Sequence, residues 1–246
     1  MKIWAHRGCS RLYPENTLLA FEKAAAVQGL TGIELDIHLT RDGRMVVCHD
    51  ERVDRTTDGT GEIRSFSLIE LKQLKIDAGN GRYEQIPTIE EVLDLLDGRM
   101  RDGLLLNIEL KNNVFPYEGM EEKIVELIHS RGLRDRVVYS SFSALSLERL
   151  RGLDPDAEIG ILDTKVSDCL YKMRGGCGAT AIHPNWGRMD LPPEALAGYT
   201  VRAWAGGRMY PEKPTGGRLD VGALERKGIT DVFLNEPGRY VSYNGN

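Results

Sequence analysis

The chain has 246 residues, with 32 Lys plus Arg against 37 Asp plus Glu and a formal net charge of -5 at pH 7. Hydrophobic residues make up 41% and charged residues 28%, a globular balance that excludes wholesale disorder and a collagen-like fibre. The mild acidity argues against a nucleic-acid-binding face, and no apolar run approaches the roughly 18 residues of a membrane helix.

A single α/β barrel takes about 250 residues, so one domain of that kind fills residues 1–246. The four cysteines, Cys9, Cys48, Cys169 and Cys177, show no C-x-x-C spacing and read as reduced thiols. Met1 to Gly8 has no n-region, h-region or cleavage site, so the expected location is the cytoplasm. Nothing in the sequence speaks to oligomeric state.

In chain order, Ile3-Trp4-Ala5 reads as a short strand, followed by a turn with Gly8 and Pro14 and a helix from about Asn16 to Gln28. Ile33 to Leu39 alternates strictly, the mark of a strand with two unlike faces. Asp42-Gly43 signals a hairpin, with Met45 to His49 as its return strand. Capping boxes at Ser67/Glu70 and Thr88/Glu91 open helices over 68–74 and 89–96. Residues 51–86 between these features are too long for an ordinary βα loop and read as an inserted subdomain. Strands at 104–110, 137–142, 159–162, 181–184, 201–204 and 232–234 follow, with helices at 120–130 and from Ser143 to about Gly152. Strands separated by helical segments imply parallel βαβ units. The predicted fold is a (β/α)8 TIM-type barrel with a small insertion after the early hairpin, and an open doubly wound sheet is the alternative. Gly206 to Gly217, with two Gly-Gly pairs and two prolines, reads as a mobile loop or lid.

Side chains alternate across a strand, so Glu34 and Asp36 share one face while Ile33, Leu35 and Ile37 share the other. In a barrel the apolar set meets the helices and the carboxylates face the lumen, where a divalent cation or a shared proton must offset their repulsion. On an open edge the same residues would be scattered surface charges. If Arg41 to Arg44 form a four-residue loop, Thr40 faces Met45 and Asp36 stands opposite His49. A histidine beside an acidic pair suits acid–base work, against the plainer reading of a structural histidine. Asn107, Glu109 and Lys111 repeat the alternation, adding a third oxygen donor of the hard type that Mg²⁺ or Ca²⁺ prefers. Lys111 answers either an ion pair with Glu109 or a phosphate oxygen. His6-Arg7-Gly8 ends the first strand, where barrel enzymes carry their chemistry, and Arg7 offers a planar fork for phosphate. Pro14-Glu15-Asn16-Thr17 opens a helix whose N–H groups favour an anion.

His6-Arg7-Gly8, Pro14-Glu15-Asn16-Thr17, Glu34-x-Asp36, His49-Asp50 and Glu109-x-Lys111 together resemble the glycerophosphodiester phosphodiesterase family. Thr40 to Gly43, Asp54-Arg55-Thr56-Thr57 and Ile86-Pro87-Thr88 extend the likeness. The resemblance implies a TIM-type barrel with one divalent cation, Mg²⁺ or Ca²⁺, that hydrolyses small-molecule glycerophosphodiesters to sn-glycerol 3-phosphate and an alcohol. It implies His6 and His49 as the general acid/base pair, Glu34, Asp36 and Glu109 as metal ligands, and Arg7 and Lys111 as phosphate-binding groups. Phe142 and Trp204 match the apolar positions near the family's pocket mouth, or else pack the barrel. The chain departs from the family at Leu234-Asn235-Glu236-Pro237, where Thr-Asp-x-Pro is common, and at the Gly206 to Gly217 excursion. Competing readings are a phosphatidylinositol phospholipase C-like enzyme and a catalytically silent barrel that binds phosphorylated ligands.

Overall fold

A computed structural model of the chain describes residues 1–205 and 218–241, so the Gly206 to Gly217 excursion lies outside the described residues. The strands run in the order β1 (Lys2–His6), β2 (Gly32–Leu39), β3 (Met45–Val47), β4 (Ile76–Asp77), β5 (Tyr83–Glu84), β6 (Leu105–Leu110), β7 (Val137–Ser141), β8 (Glu158–Asp163), β9 (Ala181–Pro184), β10 (Thr200–Ala203) and β11 (Asp231–Leu234). Helices α1 (Leu18–Ala25), α2 (Leu68–Leu71), α3 (Ile89–Arg101), α4 (Met120–Ser130), α5 (Ala144–Leu153), α6 (Val166–Arg174) and α7 (Val221–Glu225) lie between them. β1 pairs in parallel with both β2 and β11, which closes an eight-stranded barrel through β6 to β10. The open doubly wound sheet is thereby excluded, and β3 is the predicted surplus strand, antiparallel to β2.

The outer faces of the staves carry the core. Ile33, Leu35 and Ile37 of β2 and Leu106, Ile108 and Leu110 of β6 are fully buried with Val92, Leu93 and Leu96 of α3 and Ile124 of α4. The lumen is packed differently. Trp4 lies at its lower end, donates Nε1–H to Asp231 at 2.9 Å and sits beside Arg202, which also pairs with Glu158. Gly32 makes room for the Trp4 ring and Gly160 for the His183 ring, since a Cβ at either glycine would overlap its neighbour. Both capping boxes form as expected, although α2 ends at Leu71 and α3 runs on to Arg101. Residues 51–86 hold α2 and the β4–β5 hairpin. Val53, Ile63, Leu71, Ile76 and Ile86 form a separate apolar cluster there with Val46 and Cys48.

Two local expectations need correction. α1 begins at Leu18, because Asn16 takes a left-handed φ of 57° and Thr17 caps the Ala20 N–H. The hairpin register also differs by one residue. Thr40 pairs with Arg44, since Gly43 at φ 71° lets the chain return in a three-residue loop. Leu39 therefore faces Met45, and Cys48, not His49, donates its N–H to the Asp36 carbonyl. A one-residue slip reverses the face of every side chain in a ladder. His49 lies just past the end of β3, where loop partners orient it instead.

Candidate active site

Parallel pairing of β2 with β6 sets Glu34 beside Asn107 and Asp36 beside Glu109. One carboxylate oxygen from each of Glu34, Asp36 and Glu109 lies within 4.8 Å of the others, and all three residues are buried. Burial drives the Glu34 pKa well above its usual value, and repulsion from Asp36 and Glu109 adds to it. Burial also raises Glu109, against the pull of Lys111. At Asp36 burial is outweighed by His49, Arg7 and Lys111, which hold the group ionised.

This donor set fits a hard cation. Asp36 Oδ1 is buried without a hydrogen-bond partner, which burial normally forbids. Around it, the carboxylates Glu15, Glu34, Asp36, Asp50 and Glu109 face the cations Arg7, Arg55 and Lys111. If all five carboxylates are ionised, they exceed the three cations by two negative charges, the excess that one divalent ion balances. All-oxygen ligation suits Mg²⁺ or Ca²⁺.

The β1–α1 loop brings in the first cation. Arg7 and Gly8 both take left-handed φ values, 55° and 79°, and a Cβ on Gly8 would come within 2.7 Å of the Ala20 backbone. This turn aims the Arg7 N–H at Glu34 Oε2, 2.9 Å away, and sets its guanidinium 3.6 Å from Asp36 and 2.9 Å from Glu15. Asn16, also left-handed, donates Nδ2–H to Asp36 Oδ2 at 2.9 Å. Lys111 Nζ lies 3.0 Å from Glu109 and 3.5 Å from His49 Nε2.

Each imidazole is gripped through Nδ1. His6 Nδ1 lies 2.8 Å from Asn235 Oδ1, and its Nε2 is 4.0 Å from Glu34. Burial, reinforced by Arg7, lowers the His6 pKa to about 3. His49 Nδ1 lies 2.7 Å from Asp50 Oδ1, and a carboxylate there fixes the Nδ1–H tautomer.

His6, Arg7, Glu34, His49, Glu109 and Lys111 all border one cavity of about 810 Å³ at the C-terminal ends of the staves. Phe142 and Trp204 line it too, edge to face at 5.9 Å between ring centroids. The Trp204 N–H is committed to the His183 carbonyl at 2.9 Å. Cys9 is a free, buried cysteine, and burial pushes its thiol up to about 11.

Other contributors escaped the sequence reading. His38 shares the face of Glu34 and Asp36, so the same alternation points to it. Its ring spans Tyr117 Oη at 3.1 Å and the His49 carbonyl at 3.3 Å, and burial lowers its pKa to about 4, keeping it a neutral strut. Asn235 was noticed only as a departure, and its role as His6 partner needs β11 next to β1. Arg55 and Glu15 meet across two loops, which no local spacing foretells.

The chain matches the Glycerophosphoryl diester phosphodiesterase family over residues 6–172. A glycerophosphodiester phosphodiesterase of Caldanaerobacter subterraneus is 44% identical over 240 residues, spanning 96% of this chain and 94% of that protein. One from Bacillus altitudinis is 44% identical over 189 residues, 75% of each chain. Among solved structures, an Oleispira antarctica phosphodiesterase in complex with the product sn-glycerol-3-phosphate superimposes with a TM-score of 0.78 at 29% identity, covering 98% of this chain and 96% of that one. On this evidence the chain belongs to the glycerophosphoryl diester phosphodiesterase family and is an enzyme of the phosphodiester hydrolase class.

Proposed function

We propose that this enzyme hydrolyses small glycerophosphodiesters to sn-glycerol 3-phosphate and an alcohol, with a divalent cation and a pair of histidines. The observation that carries the reading is the convergence of three carboxylates within 4.8 Å, bordered by two imidazoles, a guanidinium and an ammonium in one cavity. The product complex of the Oleispira relative supports the same substrate class. A silent phosphate-binding barrel would be expected to lack one of these seven groups, and all seven are present.

Glu34, Asp36 and Glu109 would hold Mg²⁺ or Ca²⁺, which when bound draws charge from a phosphoryl oxygen. Arg7 and Lys111 orient the diester phosphate and stabilise charge that develops on it. His6 and His49 exchange protons through Nε2, because Asn235 and Asp50 occupy Nδ1. One imidazole takes the proton of the attacking oxygen on its free Nε2, and the other, entering the step as the imidazolium, gives its Nε2 proton to the leaving alcohol. Phe142 and Trp204 form the apolar wall against the organic part of the substrate. Residues 51–86 act as an inserted subdomain of one barrel domain, and the cytoplasm is the proposed location.

The test is incubation with glycerophosphocholine, glycerophosphoethanolamine and glycerophosphoinositol, with enzymatic detection of released glycerol 3-phosphate. Turnover should vanish in EDTA and return with Mg²⁺ or Ca²⁺. The His49→Ala variant should keep its far-UV circular dichroism and lose about 10²–10⁴-fold in kcat. Indifference to EDTA, or near-normal turnover of the variant, would overturn the reading.

A further inference from the structure

Arg55 lies in the 51–86 segment, outside the groups given a chemical role above, yet it borders the catalytic cavity. Its Nε and Nη2 donate to Asp50 at 2.6 and 3.1 Å, and its Nη1 and Nη2 donate to Glu15 at 2.9 and 2.7 Å. Every nitrogen of one guanidinium is therefore spent on two carboxylates. Each carboxylate has a second task. Glu15 Oε1 also receives Arg7 Nη1 at 2.9 Å, and Asp50 Oδ1 faces His49 Nδ1 at 2.7 Å.

An unbroken run of hydrogen bonds thus joins His49, Asp50, Arg55, Glu15 and Arg7. It spans three stretches of chain: the β1–α1 loop, the residues just past β3 and the inserted segment. We propose that Arg55 is a positioning residue that fixes His49 and Arg7 relative to each other by gripping Asp50 and Glu15. The inference rests on the phosphodiesterase reading, in which those two groups act on one phosphate.

Two physical points favour it over an ordinary surface ion pair. A half-exposed single pair contributes little, but a planar fork that engages two carboxylates at once restricts both in direction as well as distance. In addition, His49 lies two residues beyond Val47, the end of β3, so its side-chain partners set its orientation. A lysine at position 55 has one nitrogen and cannot span both anions.

The experiment uses the full chain with Mg²⁺ and glycerophosphocholine. In Arg55→Ala, kcat should fall about 10–100-fold while KM moves less than about threefold, the signature of misplaced catalytic groups rather than lost substrate contact. Melting temperature should stay within a few degrees of the parent. Arg55→Lys should remain at least about tenfold impaired, and added ethylguanidinium, but not ethylamine, should restore part of the Arg55→Ala turnover. Wild-type kcat in a folded Arg55→Ala, or a change confined to KM, overturns the proposal. If Arg55→Ala fails to fold, wild-type kcat in Arg55→Lys does so. The parent and His49→Ala run in parallel separate the ideas: an inactive His49→Ala beside an unaffected Arg55→Ala removes only the positioning role, an active His49→Ala removes the acid–base role of His49, and a parent that releases no glycerol 3-phosphate removes the phosphodiesterase reading itself.

Discussion

Glu34 carries a sharp electrostatic conflict. It is buried next to two other carboxylates, and the Arg7 N–H and guanidinium only partly offset them. Its folded pKa stands above the unfolded value, so the folded state binds this proton more tightly than the unfolded chain. That contribution is present below the unfolded pKa of about 4.5 and is lost as pH rises through the raised value. Glu34→Gln removes the titration and keeps the shape. In EDTA its melting temperature should exceed that of the parent by a margin that widens as pH rises from about 4.5 and then levels off. With Mg²⁺ the same variant should be inactive. A constant margin across pH would show that Glu34 ionises normally. Taking the difference between the two proteins cancels the histidines, whose lowered pKa values make the protein gain stability over part of the same range as pH rises.

At the scale of elements, what was legible depended on how local the signal was. The capping boxes at Ser67 and Thr88 need four consecutive residues, and both formed as read. The face shared by Glu34 and Asp36 needs only the two-residue period of a strand, and it too was visible. The hairpin register depended on a single φ at Gly43, which moved His49 off the ladder while leaving it in the cavity. Gly160 is a further case, since only the packed barrel reveals that it faces His183. Gly160→Ala should destabilise the protein by about 1–3 kcal/mol through overpacking. Gly98→Ala, on the exposed face of α3 with nothing near its added Cβ, should instead stabilise it by about 1 kcal/mol. Urea midpoints of the two variants check both signs, and equal shifts would refute the packing account.

Across the whole molecule, the candidate cation site ties together two neighbouring staves, β2 and β6. A ligand that binds only the folded chain stabilises it by mass action, by about 2.7 kcal/mol when present at about 100 times its Kd. For a chain of this size that is roughly 5–10 °C in melting temperature. Calorimetry in EDTA and in saturating Mg²⁺ or Ca²⁺ should show an upward shift of that order, and Asp36→Asn should abolish it. A parent protein that melts at the same temperature in both buffers would argue against a site of three ionised ligands.

The order of the barrel strands, the side of β2 and β6 that meets the helices, and the kinship of the short polar motifs were all determined by the sequence alone, because each is encoded within a few residues. The tertiary structure decided closure. Pairing β1 with both β2 and β11 brings Asn235 to His6, and the register of β2 on β6 puts Glu109 beside Asp36. It also decided that Arg55 reaches Glu15 across 40 residues of chain. Such contacts depend on how distant segments pack after loop closure, and no periodicity within one segment records them.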